Sequence, residues 1–295
     1  MEKLNKQISK SFTLIEILVV IVVIGILSAF ILVGMSSITA SANIAKSKVF
    51  LNSMDNSLLL GRVSQWKLDE GSGTSANDSW GINTGTLNSS PTWINSGCVS
   101  EKCLSFDGTD SITVPNSTSL GALDANVSSY SISVWVKSSD PGSSRIMEKG
   151  NSPYPISFQC SSTTAAAYIY DGTNNPGVDF GNAWNGNWRN LIFVVNYSTD
   201  KLYGYLDSIL LTPVTNTVTS TTASAQVLYI GNRSGSDRVF NGQIDDVRIY
   251  NQAIPTSEIQ NNFFIGINRL YKNNGIALEE YNQRLSQLRF SLAKD

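Results

Sequence analysis

The chain contains no histidine, which removes Ser/His/Asp and Cys/His catalytic arrangements and every histidine metal site at once. Carboxylate chemistry and oxygen-ligated metals remain. The paired acids Asp69-Glu70 and Asp245-Asp246 are adjacent in sequence, so on a strand their side chains point to opposite faces, and neither pair makes a shared acid/base site. An enzyme is not expected. A hard cation is the better use of these acids. Asp78 lies in DSWGINTG, whose glycines leave backbone carbonyls open, and it could join Asp246 around a structural calcium taking six to eight oxygens. Asn83 and Gly85 would supply carbonyls. The competing use is local, with Asp78 closing an Asx turn and Asp246 capping a loop or meeting Arg248.

A second set of side chains suits recognition. Trp80, Trp93, Trp184, Trp188, Tyr154, Tyr168 and Tyr170 sit in or near polar segments, where an aromatic face can stack on a ligand ring. Trp184 in GNAWNGNW is the leading candidate, with Trp188, Trp80 and Tyr170 beside it. Trp66 and Trp135 fall on strands and are expected in the core. Cys98 and Cys103, five apart in GCVSEKC, can close a small disulfide loop in an exported chain, whereas zinc lacks two further ligands. Cys160 stands alone and is expected as a buried thiol.

These groups must be placed by a chain with two characters. From Ile17 to Met35 there are 19 residues without a charge, close to the ~20 that cross a bilayer as a helix. Lys3, Lys6 and Lys10 precede that run and keep its amino end cytoplasmic. The expected organisation is a basic leader over residues 1–11 and a helix over 12–61, whose membrane part covers 14–35. Beyond the membrane, Ile38, Ala42, Ala45, Val49, Leu51, Met54 and Leu58 keep a helical spacing, so the rod continues to about Gly61. Net charge is −2, and without a basic field nucleic acid is not an expected partner.

Ser11-Phe12-Thr13-Leu14-Ile15-Glu16 before the apolar run resembles the start of type IV pilins and pseudopilins. The resemblance implies cleavage by a prepilin peptidase between Ser11 and Phe12, methylation of the new terminus, and a Glu16 that pairs with the amine of a neighbouring subunit as helices bundle. An acid at membrane depth is otherwise costly. Two departures stand out: Ser11 replaces the usual glycine, and Val33 stands where many pilins have proline, with Gly25 and Gly34 left to loosen the helix. The resemblance places the precursor in the inner membrane, then at the cell surface with other pilin subunits as partners.

After Gly61 the helical period gives way to alternation. The clearest strand is Tyr130 to Lys137, where Ile132, Val134 and Val136 share one face and Ser131, Ser133 and Trp135 the other. Further strands are expected at Val63–Leu68, Leu104–Phe106, Ile112–Pro115, Arg145–Lys149, Ile156–Gln159, Ala167–Tyr170, Trp188–Tyr197, Lys201–Leu211, Val227–Ile230 and Phe240–Tyr250. Turn signals at Asp171-Gly172, Asn185-Gly186 and Asn241-Gly242 divide several of them. Many short strands without intervening helices predict a two-sheet antiparallel sandwich over 62–255. A helical segment over 256–295 follows, with a short helix at Thr256–Phe264 and a longer one after Gly275. In the latter Leu278, Tyr281, Leu285, Leu288 and Leu292 form an apolar stripe that docks on the rod or the sandwich, or meets another subunit.

The segments Trp66–Leu87, Cys103–Pro115, YSISVWVK and Asn241–Gln260 resemble, in order, the laminin-G-like jelly rolls of the concanavalin A-like lectin and glucanase group. That resemblance implies a binding module for carbohydrate or extracellular protein, often with a structural calcium. Glycan-cutting members carry an E-x-D-x-x-E or E-x-D-x-E array, which is missing here. The expected protein is thus mainly β, a pilin-like helix bearing an adhesion or recognition domain. The rivals are a purely structural pseudopilin of a pilus or type II secretion machine and, more remotely, a membrane-tethered glycan-processing enzyme.

Overall fold

The computed structural model describes residues 14–26, 28, 61–123, 128–150, 152–218, 225–235 and 237–292. The chain forms two compact units, residues 1–57 and residues 58–295. In the first, residues 14–26 form helix α1, an unbroken apolar stretch free of proline, with every large apolar side chain from Leu14 to Ile26 exposed. Among the described residues no helix is long and apolar enough to cross a membrane. Ser11, Phe12, Val33, Gly34, most of the expected span beyond residue 26 and the rod up to residue 60 lie outside the described residues.

The second unit is an antiparallel sandwich. Its strands in chain order are β1 Arg62–Trp66, β2 Ser75–Ala76, β3 Gly85–Asn88, β4 Thr92–Ile94, β5 Cys103–Asp107, β6 Ser111–Val114, β7 Tyr130–Lys137, β8 Ser144–Lys149 and β9 Tyr154–Cys160. They continue as β10 Ala165–Tyr170, β11 Gly177–Gly181, β12 Trp188–Asn196, β13 Lys201–Leu206, β14 Ile209–Leu210, β15 Val214–Thr215, β16 Leu228–Ile230 and β17 Asn241–Tyr250. One sheet runs β14-β13-β12-β7-β17-β5-β4, with β1 added to β17 and β15 to β13. The other runs β11-β10-β9-β8-β16-β6-β3-β2. Between them Ile132, Val134 and Val136 of β7 meet Phe158 of β9, Ile112 of β6 and Ile230 of β16 in one apolar core. The alternation in YSISVWVK assigns that face.

The other face of the first sheet is also apolar, because two helices cover it. Helix α2 spans Thr256–Lys272 and α3 spans Leu278–Leu292. Trp135 stacks on Phe263 at 5.6 Å between ring centroids and 4° between planes, and Trp188, Ile267, Leu270 and Leu288 close around it. Tyr281 and Leu285 pack at the margin of that cluster, while Leu278 is exposed. The stripe on α3 therefore docks on the sandwich. Helix α2 runs past the expected end at Phe264, and Asn241-Gly242 opens β17 rather than making a turn.

Cys98 and Cys103 form the expected disulfide, with Cα atoms 5.6 Å apart, inside the same helix-covered cluster. Cys160 is buried and reduced, and burial pushes its thiol up to about 12, far from reactivity at neutral pH. Closing so short a loop is worth about 2 kcal/mol by chain entropy. Replacing both Cys98 and Cys103 with serine is expected to lower urea-unfolding stability by about that amount and to make the protein insensitive to reductant.

Candidate ligand-recognition face

The acids expected to hold calcium are each engaged by protein donors. Asp78 Oδ1 accepts the backbone N–H groups of Gln65, Trp80 and Gly81 at 2.9, 3.0 and 2.8 Å, and Oδ2 accepts that of Asn83 at 3.0 Å. Burial raises the pKa of this carboxyl, but the four N–H groups outweigh it and leave the value below the ordinary range. The Asn83 carbonyl takes the Trp66 indole N–H at 2.8 Å, and Gly85 pairs with Ala76 in the β2–β3 ladder. Asp246 accepts Arg248 Nε at 3.0 Å, Arg248 Nη2 at 2.5 Å and Gln65 Nε2 at 2.7 Å. Four backbone donors at Asp78 and a guanidinium at Asp246 stabilise the two carboxylates within the protein itself. The local reading, an Asx-type turn at Asp78 and an ion pair with Arg248, describes the geometry.

The other paired acids are likewise structural. A register shift in β17 between Asp245 and Arg248 separates the two aspartates. Asp245 then accepts the N–H groups of Val99 and Ser100 at 2.7 and 2.9 Å, and Asp69 accepts Ser100 Oγ at 2.6 Å and the Lys102 N–H at 2.8 Å. Together they hold the disulfide loop. Burial and the adjacent Asp246 charge push the Asp245 carboxyl well up. Among the described residues Cys98, Cys103 and Asp245 come close enough to share a metal, but the two sulfurs are bonded to each other and offer no thiolate.

Of the candidate tryptophans, Trp184 and Trp188 are buried. Trp184 is 5% exposed, in the main core, with its indole N–H on the Thr164 carbonyl at 3.0 Å. Trp188 is 1% exposed, under the helices, and donates to the Gly97 carbonyl at 2.8 Å. Trp93 packs against the main core. Trp80 is 41% exposed, but its indole donates to the Arg62 carbonyl at 2.9 Å and the Arg62 guanidinium lies 5.0 Å from its ring.

The tyrosines fare differently. The outward positions of the eight-stranded sheet form a row in register: Gly177 on β11 faces Tyr168 on β10, which faces Ser157 on β9. The row continues through Glu148 on β8 and Tyr229 on β16 to Thr113 on β6. Directly opposed residues share a face. On that face Tyr170 also opposes Tyr154, their rings 5.4 Å apart and tilted by 42°. Tyr154 donates to Asn175 Oδ1 at 3.1 Å and Tyr170 to the Gly172 carbonyl at 2.8 Å. Burial and the neighbouring Glu148 charge raise the Tyr154 phenol, so it stays protonated and can donate. Glu148 itself accepts Ser157 Oγ at 2.5 Å and Arg145 Nε at 3.0 Å. A Cβ at Gly177 would stand 2.2 Å from the Tyr168 ring, so glycine there lets the ring lie flat against β11.

This surface presents half-buried tyrosine rings flanked by the side-chain amides of Gln159 and Asn175, which can stack on a ring and bond its hydroxyls, while Glu148 and Ser157 within the row are buried. The expectation singled out Tyr170, and Tyr154 and Tyr168 as further candidates; the sheet brings all three together. It adds Tyr229 and Gln159, whose outward positions could have been read from the period-2 alternation in VLYIG and ISFQC.

Two family descriptions match the chain. "Concanavalin A-like lectin/glucanases superfamily" covers residues 106–260, and "Prokaryotic N-terminal methylation motif" covers residues 7–32. No curated protein sequence matches. Among solved structures, domain 4 of AbnA, an extracellular GH43 arabinanase from Geobacillus stearothermophilus solved with arabinotriose, is similar at 20% identity and TM-score 0.55, covering 69% of this chain and 98% of that one. The botulinum neurotoxin serotype G binding domain matches at 13% identity and TM-score 0.58 over 70% of this chain and 51% of its own length. The binding domain of Paraclostridial Mosquitocidal Protein 1 matches at 14% and 0.55 over 70% and 53%. The chain thus spans about half of each toxin binding domain, and at these identities the likeness is one of fold.

Proposed function

The chain belongs to the concanavalin A-like lectin/glucanases superfamily, and from that premise we propose that it is a type IV pilin-like surface protein whose sandwich recognises glycans on the Tyr154–Tyr168–Tyr170–Tyr229 face. The methylation motif implies a membrane precursor, processing by prepilin peptidase and assembly with other pilin subunits at the cell surface. The observation that carries the recognition reading is the asymmetry of the sandwich. One sheet's outer face is sealed by α2 and α3, whereas the outward row of the other is lined by half-buried tyrosines. The likeness to an arabinanase domain solved with arabinotriose supports a saccharide as the ligand. The structural uses of Asp69, Asp245 and Asp246 favour binding over hydrolysis.

The test is a glycan-binding panel on the full chain and its Tyr168→Ala variant, with and without a calcium chelator. Losing one aromatic anchor is expected to weaken binding about tenfold or more, the effect of about 1.4 kcal/mol, with thermal stability held. Gly177→Ala, which displaces the Tyr168 ring, should weaken binding in the same direction. Chelation is expected to change nothing, since Asp78 and Asp246 are engaged. Absence of binding to the whole panel, or binding indifferent to Tyr168, would favour a purely structural subunit.

A further inference from the structure

A cavity of about 510 Å³ opens on the opposite side of the sandwich, between α3, the start of β12 and the β13–β14 hairpin. Its volume is within the ~300–1,000 Å³ of small-molecule sites. The cavity is built on fixed charges. Arg189 Nε lies 2.7 Å from Asp207 Oδ2, and Asp207 Oδ1 also accepts the Asn190 N–H at 2.8 Å. Across from them Arg284 gives Nε and Nη2 to Glu280 Oε1 at 3.1 and 2.7 Å, and Nη2 also to the Trp188 carbonyl at 2.7 Å.

Each arginine is already paired with a carboxylate, and exposed Glu279 adds negative charge at the rim, so the lining carries no surplus positive charge to attract an anion. Beside these ion pairs the lining offers the side-chain amides of Asn185, Asn187, Gln283 and Gln287. Each amide is both donor and acceptor. Such a set matches hydroxyl groups, which also donate and accept, better than a carboxylate or phosphate, which only accepts. Leu206, Ile209 and Leu211 supply an apolar wall for the C–H face of a ring.

We propose that this helix–hairpin cavity is a second binding site, separate from the tyrosine face, for a neutral oligosaccharide of two or three units. The cavity and the tyrosine face lie on opposite sheets, so one chain engages two glycan segments, and either site can fail without the other.

The experiment is hydrogen exchange on the full chain in a sugar-free zwitterionic detergent, with xylotriose, cellotriose or arabinotriose as the neutral probe and trigalacturonate as the acidic one. At least one neutral trisaccharide is expected to slow exchange in α3 and residues 206–211. The Asn187→Ala/Gln283→Ala variant, which removes two exposed amides and leaves the core untouched, should weaken that protection at least tenfold in the concentration required. Tyr168→Ala should leave it unchanged. Absence of protection there with all three neutral probes, protection indifferent to the amide variant, or stronger protection by trigalacturonate overturns the proposal. Protection on β8–β10 bears on the tyrosine face instead, so the two readings fail separately.

Discussion

Replacing Asp246 with alanine is expected to destabilise the sandwich by about 3–5 kcal/mol, the cost of leaving one partner of a buried ion pair behind. Asp246 is 1% exposed and Arg248 5%, and the guanidinium is held at both carboxylate oxygens. Arg248 also gives Nη1 to Asn262 Oδ1 at 2.5 Å, and Asn262 Nδ2 bonds Glu258 Oε1 at 2.8 Å. The pair therefore locks β17 to α2 as well as satisfying itself. Burial alone would raise the Asp246 carboxyl, but the Arg248 charge and the bonds from Arg248 and Gln65 outweigh it and hold it below the ordinary value. A depressed carboxyl contributes stability that is fully present above the unfolded pKa of about 3.9 and is lost as pH falls through the lower folded value. Asp245 acts oppositely: its raised value penalises the folded state at neutral pH, and that penalty is relieved as pH falls through its folded pKa. Urea unfolding of wild type and Asp246→Ala between pH 7 and pH 2 measures both. Equal stability at pH 7 would mean the pair contributes nothing.

The second large effect lies in the other unit. Glu16→Ala is expected to reduce incorporation into sheared filaments to background while membrane insertion is kept or improved. Glu16 falls within α1 among exposed apolar neighbours from Leu14 to Ile26, inside the matched methylation motif. An acid among such neighbours costs roughly 2.5–3.5 kcal/mol at membrane depth. Removing it should therefore ease insertion. Its retention makes sense where assembly supplies a cation, and the pilin resemblance identifies that cation as the amine of a neighbouring subunit. Filament and membrane fractions probed for the same variant separate the two steps. Wild-type incorporation would contradict an assembly role for Glu16.

Much of the sandwich was legible because its strands alternate. The strand expected at Tyr130–Lys137 is β7, and Trp135, opposed to Val134 and Val136 along it, lies in the core on the face that the helices cover. The short strands Ser75–Ala76, Thr92–Ile94 and Gly177–Gly181 carry too little periodicity to mark them in the sequence. The expected helix ends at Phe264, whereas α2 continues through Gly266 to Lys272. In the structure that glycine is a packing contact: a Cβ would stand 2.2 Å from the Trp135 ring.

The site was less legible than the fold. GNAWNGNW reads as a polar loop, yet Asn182 and Asn185 take the N–H groups of Trp184 and Asn187 in Asx turns at 3.1 Å, and both tryptophans end up buried. A loop's composition says nothing about which way its rings face. Likewise the single-letter pattern at Asp78 cannot distinguish a carboxylate awaiting a cation from one already filled by four backbone donors. The tyrosine row needed strand register, which joins β10, β9, β8 and β16 across more than sixty residues of sequence.

The claim on which the rest depends is that this chain is processed and exported through its amino-terminal segment. Amino-terminal sequencing and mass analysis of the protein recovered from the cell surface test it most directly. The account predicts a chain beginning at N-methylated Phe12. A chain that still begins at Met1, or one cut beyond the apolar run, would contradict it.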